Sequence, residues 1–286
     1  MSFTERRQRF RTVLAGDACV HPGSVFDPIS ARIAEDLGFE IGMFAGSIAS
    51  YTVLGAPDLV VLTLTEFAEQ IRRITRAGRL PLLVDADHGY GNALSVMRTV
   101  EELEAAGVAA LTIEDTKLPR GYAEKGVQLL SVAEGEGKIR AALAARRDPA
   151  LVVVARTTAV SVTGAEDAVE RARIYARAGA DALFLAGGVT GAQLRAIRAA
   201  APLPILLGGT DGKLGDRASM ASLGVRVALQ GHAPFMAAVQ AVRDTLKALR
   251  EGTPPSELKG VASAELIRAV TREADYAKAA RDYLGG

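Results

Sequence analysis

Short apolar runs alternate with longer amphipathic stretches along most of the chain. The runs are rich in Val, Ile and Leu and fall at 25–26, 41–45, 82–84, 109–113, 151–155, 182–186, 205–207 and 225–229. A continuous apolar run bounded by polar residues is buried on both faces, which predicts strands of a parallel sheet. Between the runs, 27–37, 64–77, 92–106, 133–145, 165–178, 191–201, 217–223 and 234–250 read as helices, with Ile29, Ile33 and Leu37 at spacing four as one instance. Pro28 suits a first helical turn. Gly38, Gly78, Gly107, Gly179 and Gly224 stand just past helix ends, where a left-handed residue terminates the helix. Eight strand–helix units in roughly 250 residues predict an α/β fold, a (β/α)8 TIM barrel. We assign it to residues 1–251, with a helical tail, 252–286, that opens on Thr253-Pro254-Pro255. The tail packs on its own chain or exchanges with a neighbouring subunit. The competing fold is an open doubly wound sheet. No G-x-G-x-x-G follows the first run, however, and the pairs Gly187-Gly188 and Gly208-Gly209 come late.

Composition narrows the partners. Among 286 residues, 34 Lys and Arg face 33 Asp and Glu, and no basic block stands out, so no nucleic-acid partner is expected. No window approaches about 18 uncharged apolar residues, so no membrane span is expected. The Arg-rich N-terminus lacks an apolar segment of the secretory type, and a cytoplasmic location is the expectation. Trp is absent and aromatics are 5%, so the core must be mostly aliphatic. A single cysteine, Cys19, excludes an intramolecular disulfide and a Cys-rich zinc site.

In such a barrel the chemistry sits where strands end. The second run ends in Gly46-Ser47 and the third in Asp85-Ala86-Asp87-His88-Gly89-Tyr90-Gly91. The fourth ends in Glu114-Asp115, the fifth in Arg156-Thr157-Thr158 and the eighth in Gly231-His232. Asp85, Asp87 and Glu114 repel one another unless a cation sits among them, and hard oxygen donors favour Mg²⁺ or Mn²⁺. The same three residues would also serve as helix caps or rim salt bridges, and spacing leaves both readings open. Arg156 either pairs with an acid at the barrel mouth or clamps a carboxylate or a developing enolate. His232 either donates to a substrate carboxylate or is a structural hydrogen-bonding residue. Ser47 offers a hydroxyl beside backbone amides, or caps a helix. No Ser/His/acid nucleophile arrangement is visible in the sequence.

Taken in order, several of these segments carry a resemblance. They are Ser24-Val25-Phe26-Asp27-Pro28-Ile29-Ser30-Ala31-Arg32, Gly46-Ser47, the Asp58 region, the Asp85 to Gly91 segment, Ile113-Glu114-Asp115 and Ala155-Arg156-Thr157. Together they resemble the isocitrate lyase/phosphoenolpyruvate mutase superfamily. The resemblance implies a (β/α)8 barrel, Mg²⁺ dependence, a 2-oxo acid ligand and a homotetramer with a C-terminal helix swapped between subunits. It also implies roles. Asp85 becomes the nearest metal carboxylate, with Asp87 and Glu114 acting through water. Ser47 becomes a substrate-carboxylate group, Arg156 the holder of substrate and enolate, and Asp58 an acid near the site.

The loop after the fourth run reads Thr116-Lys117-Leu118-Pro119-Arg120-Gly121-Tyr122-Ala123-Glu124-Lys125-Gly126. It lacks the Lys-Lys-Cys-Gly-His type motif of the superfamily's lyases and the Lys-Asn-Ser loop of its mutases. The segments Asn92-Ala93-Leu94 and Gly137-Lys138-Ile139-Arg140-Ala141-Ala142-Leu143, with His232, resemble the oxaloacetate decarboxylase branch, where the histidine helps to bind substrate. Thr158 and the segment 125–129 depart from that branch. The resemblance thus implies Mg²⁺-dependent decarboxylation of oxaloacetate, or a close 2-oxo dicarboxylate, to pyruvate and CO₂ through a metal-stabilised enolate. The alternatives are a C–C lyase acting on a substituted malate or methylisocitrate-like acid, and a non-catalytic 2-oxo acid binder.

Overall fold

The structure, a computed structural model, describes residues 1–209 and 212–285. It contains one parallel sheet of eight strands in sequential order. The strands are β1 (Gly23–Ser24), β2 (Gly42–Phe44), β3 (Leu82–Asp85), β4 (Ala110–Glu114), β5 (Val152–Thr157), β6 (Ala182–Leu185), β7 (Ile205–Leu207) and β8 (Val225–Ala228). The sheet closes on itself. Val20, just ahead of β1, bridges Val227 in parallel, its N–H donating to Arg226 O at 2.9 Å while Ala228 N–H donates to Val20 O at 3.0 Å. The fold is therefore the expected (β/α)8 barrel. The first strand forms two residues ahead of the run 25–26, because the ladder to β2 starts at Gly23, whose N–H donates to Ile41 O; Val25 extends that ladder with a bond to Met43 O.

The chain divides into two compact units, Met1–Gly231 and His232–Gly286. In the first, α1 (Phe3–Ala15) precedes the strands, and α2 (Pro28–Asp36), α3 (Gly46–Ala49), α4 (Leu64–Thr75), α5 (Ala93–Ala105) and α6 (Val132–Ala145) follow in order. They are succeeded by α7 (Ala159–Val162), α8 (Ala165–Ala178), α9 (Gly191–Ala200) and α10 (Arg217–Ser222). Capping boxes at Asp27, Thr63 and Thr190 satisfy the amides that α2, α4 and α9 leave open at their starts. Gly38, Gly107, Gly179 and Gly224 adopt the left-handed conformation expected past helix ends; Gly78 does not.

The N-terminal arginines have a structural task. Arg7 pairs with Asp148 at 2.7 Å and donates to Val108 O, while Arg11 pairs with Asp181 at 3.0 Å and donates to Leu151 O. These partners precede β4, β5 and β6, so α1 is fastened to the N-terminal ends of the strands, opposite the rim where chemistry is expected.

The second unit holds α11 (Ala233–Arg250), a 3₁₀ turn at Pro255–Glu257, α12 (Ala264–Thr271) and α13 (Glu273–Leu284). No residue of α11 is buried. Met236, Val239, Val242, Leu246 and Leu249 repeat at helical spacing and are all exposed, Val242 at 58% and Leu246 at 61%. Among the described residues no helix is long and apolar enough to cross a membrane.

Candidate active site

Strand register builds the centre of the site. β3 and β4 align Asp85 with Thr112, and β4 and β5 align Glu114 with Arg156. Partners in register project to the same face, and residues two apart in a strand share that face. Asp85, Thr112, Glu114 and Arg156 are thereby brought together at the C-terminal ends of three adjacent strands. Thr112 Oγ1 donates to Asp85 Oδ1 at 2.8 Å. The Arg156 guanidinium donates through Nη1 to Asp85 Oδ2, and its Nε lies 3.1 Å from Glu114 Oε2, close enough for an ion pair but off the angle of a hydrogen bond. One strand further, Phe184 aligns with Arg156, and its ring lies 5.3 Å from the guanidinium carbon, a cation–π support.

Asp87 stands in the turn after β3 and reaches toward β2. A Cβ placed on Gly46 would fall 2.8 Å from Asp87 Oδ1 and 3.0 Å from Oδ2. Glycine at 46 is thus what lets the Asp87 carboxylate lie against the start of α3. Ser47 is the next residue, half-buried in the same first helical turn, where backbone amides have no partner within the helix. Asp58 lies on an exposed loop between the π-turn Ser50–Leu54 and α4.

The electrostatics follow from crowding. Burial raises Asp87 well above the usual carboxylate range, and Asp85, Glu114 and Asp58 push the same way, with Arg156 opposing. Burial raises Glu114 to about 7, with Arg156 opposing and Asp85 adding to it. Asp58 is raised by partial burial and by Asp85, again against Arg156. Arg156 itself is held above its ordinary value. Burial works against its charge, but Asp85 and Glu114 outweigh it. Among the described residues, four carboxyl groups share the influence of one guanidinium, which leaves a deficit of positive charge around it.

That deficit fits a hard cation. The donors are oxygens only, and buried carboxyls driven toward protonation are the groups a divalent ion would recharge. Among the described residues no three acidic, imidazole or thiol groups converge on one point closely enough to enclose a metal ion. The set suits an ion that keeps several waters and takes one or two protein carboxylates, as Mg²⁺ does.

Other expected residues fall elsewhere. His232 stands at the residue before α11 in the second unit, and its side chain makes no capping bond to that helix. Cys19 is buried ahead of β1, and burial raises its thiol, so it supplies no acid or base to the loop after β4. That loop folds back as a hairpin, Lys117 N–H donating to Gln128 O at 2.8 Å. With the Asp58 loop it flanks an open cleft of about 480 Å³ lined by Asp58, Leu59, Val60, Lys117, Leu118 and Arg120, among others. Asp115, next to Glu114, points to the opposite face of β4, where its Oδ2 accepts bonds from Arg171 (2.9 Å) and Tyr175 (2.7 Å) of α8.

Sequence reasoning missed Thr112 and Phe184, and gave no role to Tyr90 and Lys138 although both stand in segments it singled out. Thr112 had a signal, being two residues before Glu114 on one strand. Tyr90 packs its ring near Phe67 and His88, and its hydroxyl is buried without a hydrogen-bond partner among the described residues. Burial raises that hydroxyl, and Asp87 and Asp85 add to the effect.

Comparison with known proteins places this geometry. The phosphoenolpyruvate phosphomutase family matches residues 10–250. The chain is 59% identical over 285 residues to the oxaloacetate decarboxylase of Bradyrhizobium sp. (strain ORS 278), covering 100% of this chain and 99% of that protein. Among solved structures, it is similar to oxaloacetate acetylhydrolase in complex with the inhibitor 3,3-difluorooxalacetate, with 30% identity and a TM-score of 0.86 over 100% of this chain and 98% of that one. It is also similar to a phosphonopyruvate hydrolase in complex with oxalate and Mg²⁺, with 29% identity and a TM-score of 0.84 over 99% of this chain and 100% of that one.

Proposed function

Because the chain belongs to the phosphoenolpyruvate phosphomutase family, we propose that it decarboxylates oxaloacetate to pyruvate and CO₂ with Mg²⁺ as cofactor. The observation that carries the reading is the rim built by register. The Arg156 guanidinium is held between Asp85 and Glu114, where acidic groups outnumber basic ones among the described residues, on a chain similar along its full length to oxaloacetate decarboxylases.

Asp85 is the carboxylate that would hold the cation most directly, with Asp87 and Glu114 reaching it through water; Mn²⁺ would suit the same oxygens. The cation, when bound, supplies Lewis acidity toward a 2-oxo acid. Ser47 and the open amides at the start of α3 would hold the substrate's C1 carboxylate. His232 is proposed as a second substrate-binding group. As the C3–C4 bond breaks, its electron pair moves toward the C2 oxygen and CO₂ leaves uncharged. Arg156, pre-set on Phe184, would stabilise the charge that develops on that oxygen. Asp58, whose carboxyl is raised by partial burial and by Asp85, is the candidate donor of the proton that C3 then takes up.

A reading of assembly is supported by the second unit. The apolar stripe on α11 is the kind of exposed patch that marks an interface, and a homotetramer with exchanged helices is the proposed state.

The test is pyruvate formation from oxaloacetate with Mg²⁺, set against an Arg156→Ala control, since free divalent ions also decarboxylate oxaloacetate. Loss of an enolate-stabilising donor should lower kcat by about 10²–10³ while the fold persists. Near-normal turnover in that variant would refute the role of Arg156. Products separate the alternatives. Glyoxylate or another 2-oxo acid released from a substituted malate would indicate a C–C lyase, and calorimetric binding without turnover a 2-oxo acid binder.

A further inference from the structure

The turn that carries Asp87 is bent against the preferences of its residues. Asp87 (φ 48°) and Tyr90 (φ 58°) both lie in the left-handed region that L side chains avoid. Such a conformation persists only where the surroundings over-determine it. Here three successive carbonyls are held by three different elements. Asp87 O accepts from Glu114 N of β4 at 2.9 Å, His88 O from Lys138 Nζ of α6 at 2.8 Å, and Gly89 O from Thr99 Oγ1 of α5 at 3.0 Å. The first bond is backbone to backbone and any non-proline residue at 114 could make it. The other two depend on side chains.

Lys138 is the costlier of the two. It lies on the buried stripe of α6 with Gly135, Ile139, Ala142 and Ala145 and is only 3% exposed. An apolar residue would fill such a stripe without desolvating a charge. The ammonium is spent on a backbone carbonyl, reached from the helix layer, in the turn next to the rim carboxylates. Burial lowers the ammonium below its ordinary value, and Glu134, Glu114 and Asp115 oppose that shift.

We propose that Lys138 is a positioning residue for the cation site. By holding His88 O, it keeps Asp87 in the conformation that lays its carboxylate against Gly46, and so sets the affinity for Mg²⁺ without touching substrate. The inference rests on the cation reading given above.

Mg²⁺ titrated by calorimetry into the full chain without substrate tests it, using wild type, Lys138→Met, Lys138→Arg and Thr99→Val, with circular dichroism to confirm folding. Groups that orient metal-binding residues typically change affinity by about 10–100-fold. Lys138→Met should weaken Mg²⁺ binding to that degree yet recover most of its kcat at saturating Mg²⁺. Lys138→Arg, which keeps a charged donor, should restore most of the affinity. Thr99→Val removes a neighbouring hold with no change of charge and should weaken binding as well. If Lys138→Met fails to fold, the Arg and Val variants still decide the matter. Unchanged affinity in a folded Lys138→Met would overturn the proposal. So would a loss confined to Lys138→Met with Thr99→Val unaffected, since that would assign the effect to charge alone. Absence of Mg²⁺ binding by wild type would sink the cation reading itself and this inference with it, a result distinct from a loss in the variants.

Discussion

Replacing Gly46 by alanine adds one methyl group where the structure has no room for it. The new Cβ would stand 2.8 Å and 3.0 Å from the two Asp87 oxygens and 3.2 Å from the Asp87 carboxyl carbon. Heavy atoms settle at about 3.5 Å, so roughly half an ångström must be recovered. Asp87 has little freedom to retreat, because the carbonyls of its turn are held by Glu114, Lys138 and Thr99. Overpacking of this size costs about 1–3 kcal/mol. Alanine in the first turn of a helix returns part of that, so the melting temperature should fall by only a few degrees. Activity is the sensitive readout. A misplacement of about 1 Å can cost about 10²-fold, so half of that predicts roughly a tenfold loss in kcat/KM, with weaker Mg²⁺ binding. The control is Gly137→Ala. Gly137 lies inside α6, and a Cβ there would meet nothing within 4 Å. It should raise stability by about 0.5–1 kcal/mol and leave turnover unchanged. Pyruvate release and urea unfolding on both variants decide the question. Wild-type turnover and Mg²⁺ affinity in Gly46→Ala would refute the claim that the Gly46–Asp87 contact seats the site.

Two further outcomes are expected. Glu114 is raised to about 7, chiefly by burial, from an ordinary 4.5. The folded chain therefore keeps a proton that the unfolded chain releases, and this contribution to stability is full below pH 4.5 and lost as pH rises through 7. With chelator present, urea unfolding should show wild type losing on the order of 1–3 kcal/mol relative to Glu114→Gln across that window, and saturating Mg²⁺ should reverse the trend; a flat difference would refute the burial argument. Leu246→Asp places a charge on the exposed stripe of α11, and sedimentation should show a smaller assembly with the circular dichroism of each subunit retained; an unchanged mass would exclude that stripe as the interface.

The barrel and most of the rim were legible in the sequence because both rest on local regularities. Apolar runs alternating with amphipathic stretches specify buried parallel strands and covering helices, and the residue after each run is the one a barrel delivers to its C-terminal rim. Asp85, Asp87, Glu114 and Arg156 could be picked out on that basis alone. The start of β1 at Gly23, by contrast, has a non-local cause, a ladder that begins where Ile41, just ahead of β2, offers its carbonyl. What spacing could not decide was whether three acids and an arginine meet. That depends on register, a property of paired strands, which sets Glu114 beside Arg156 and Asp85 beside Thr112. Phe184 beneath Arg156 is a second consequence of the same register, one strand further on. Lys138 is the clearest case of the division. In sequence it is a lysine on an apolar helical stripe, and only the tertiary structure shows the carbonyl it serves, 50 positions away. The chain by itself determined which residues could do chemistry, since residue type and periodicity are local. The packing of distant segments decided which of them share one electrostatic environment, since charges and hydrogen bonds act through space and not along the chain.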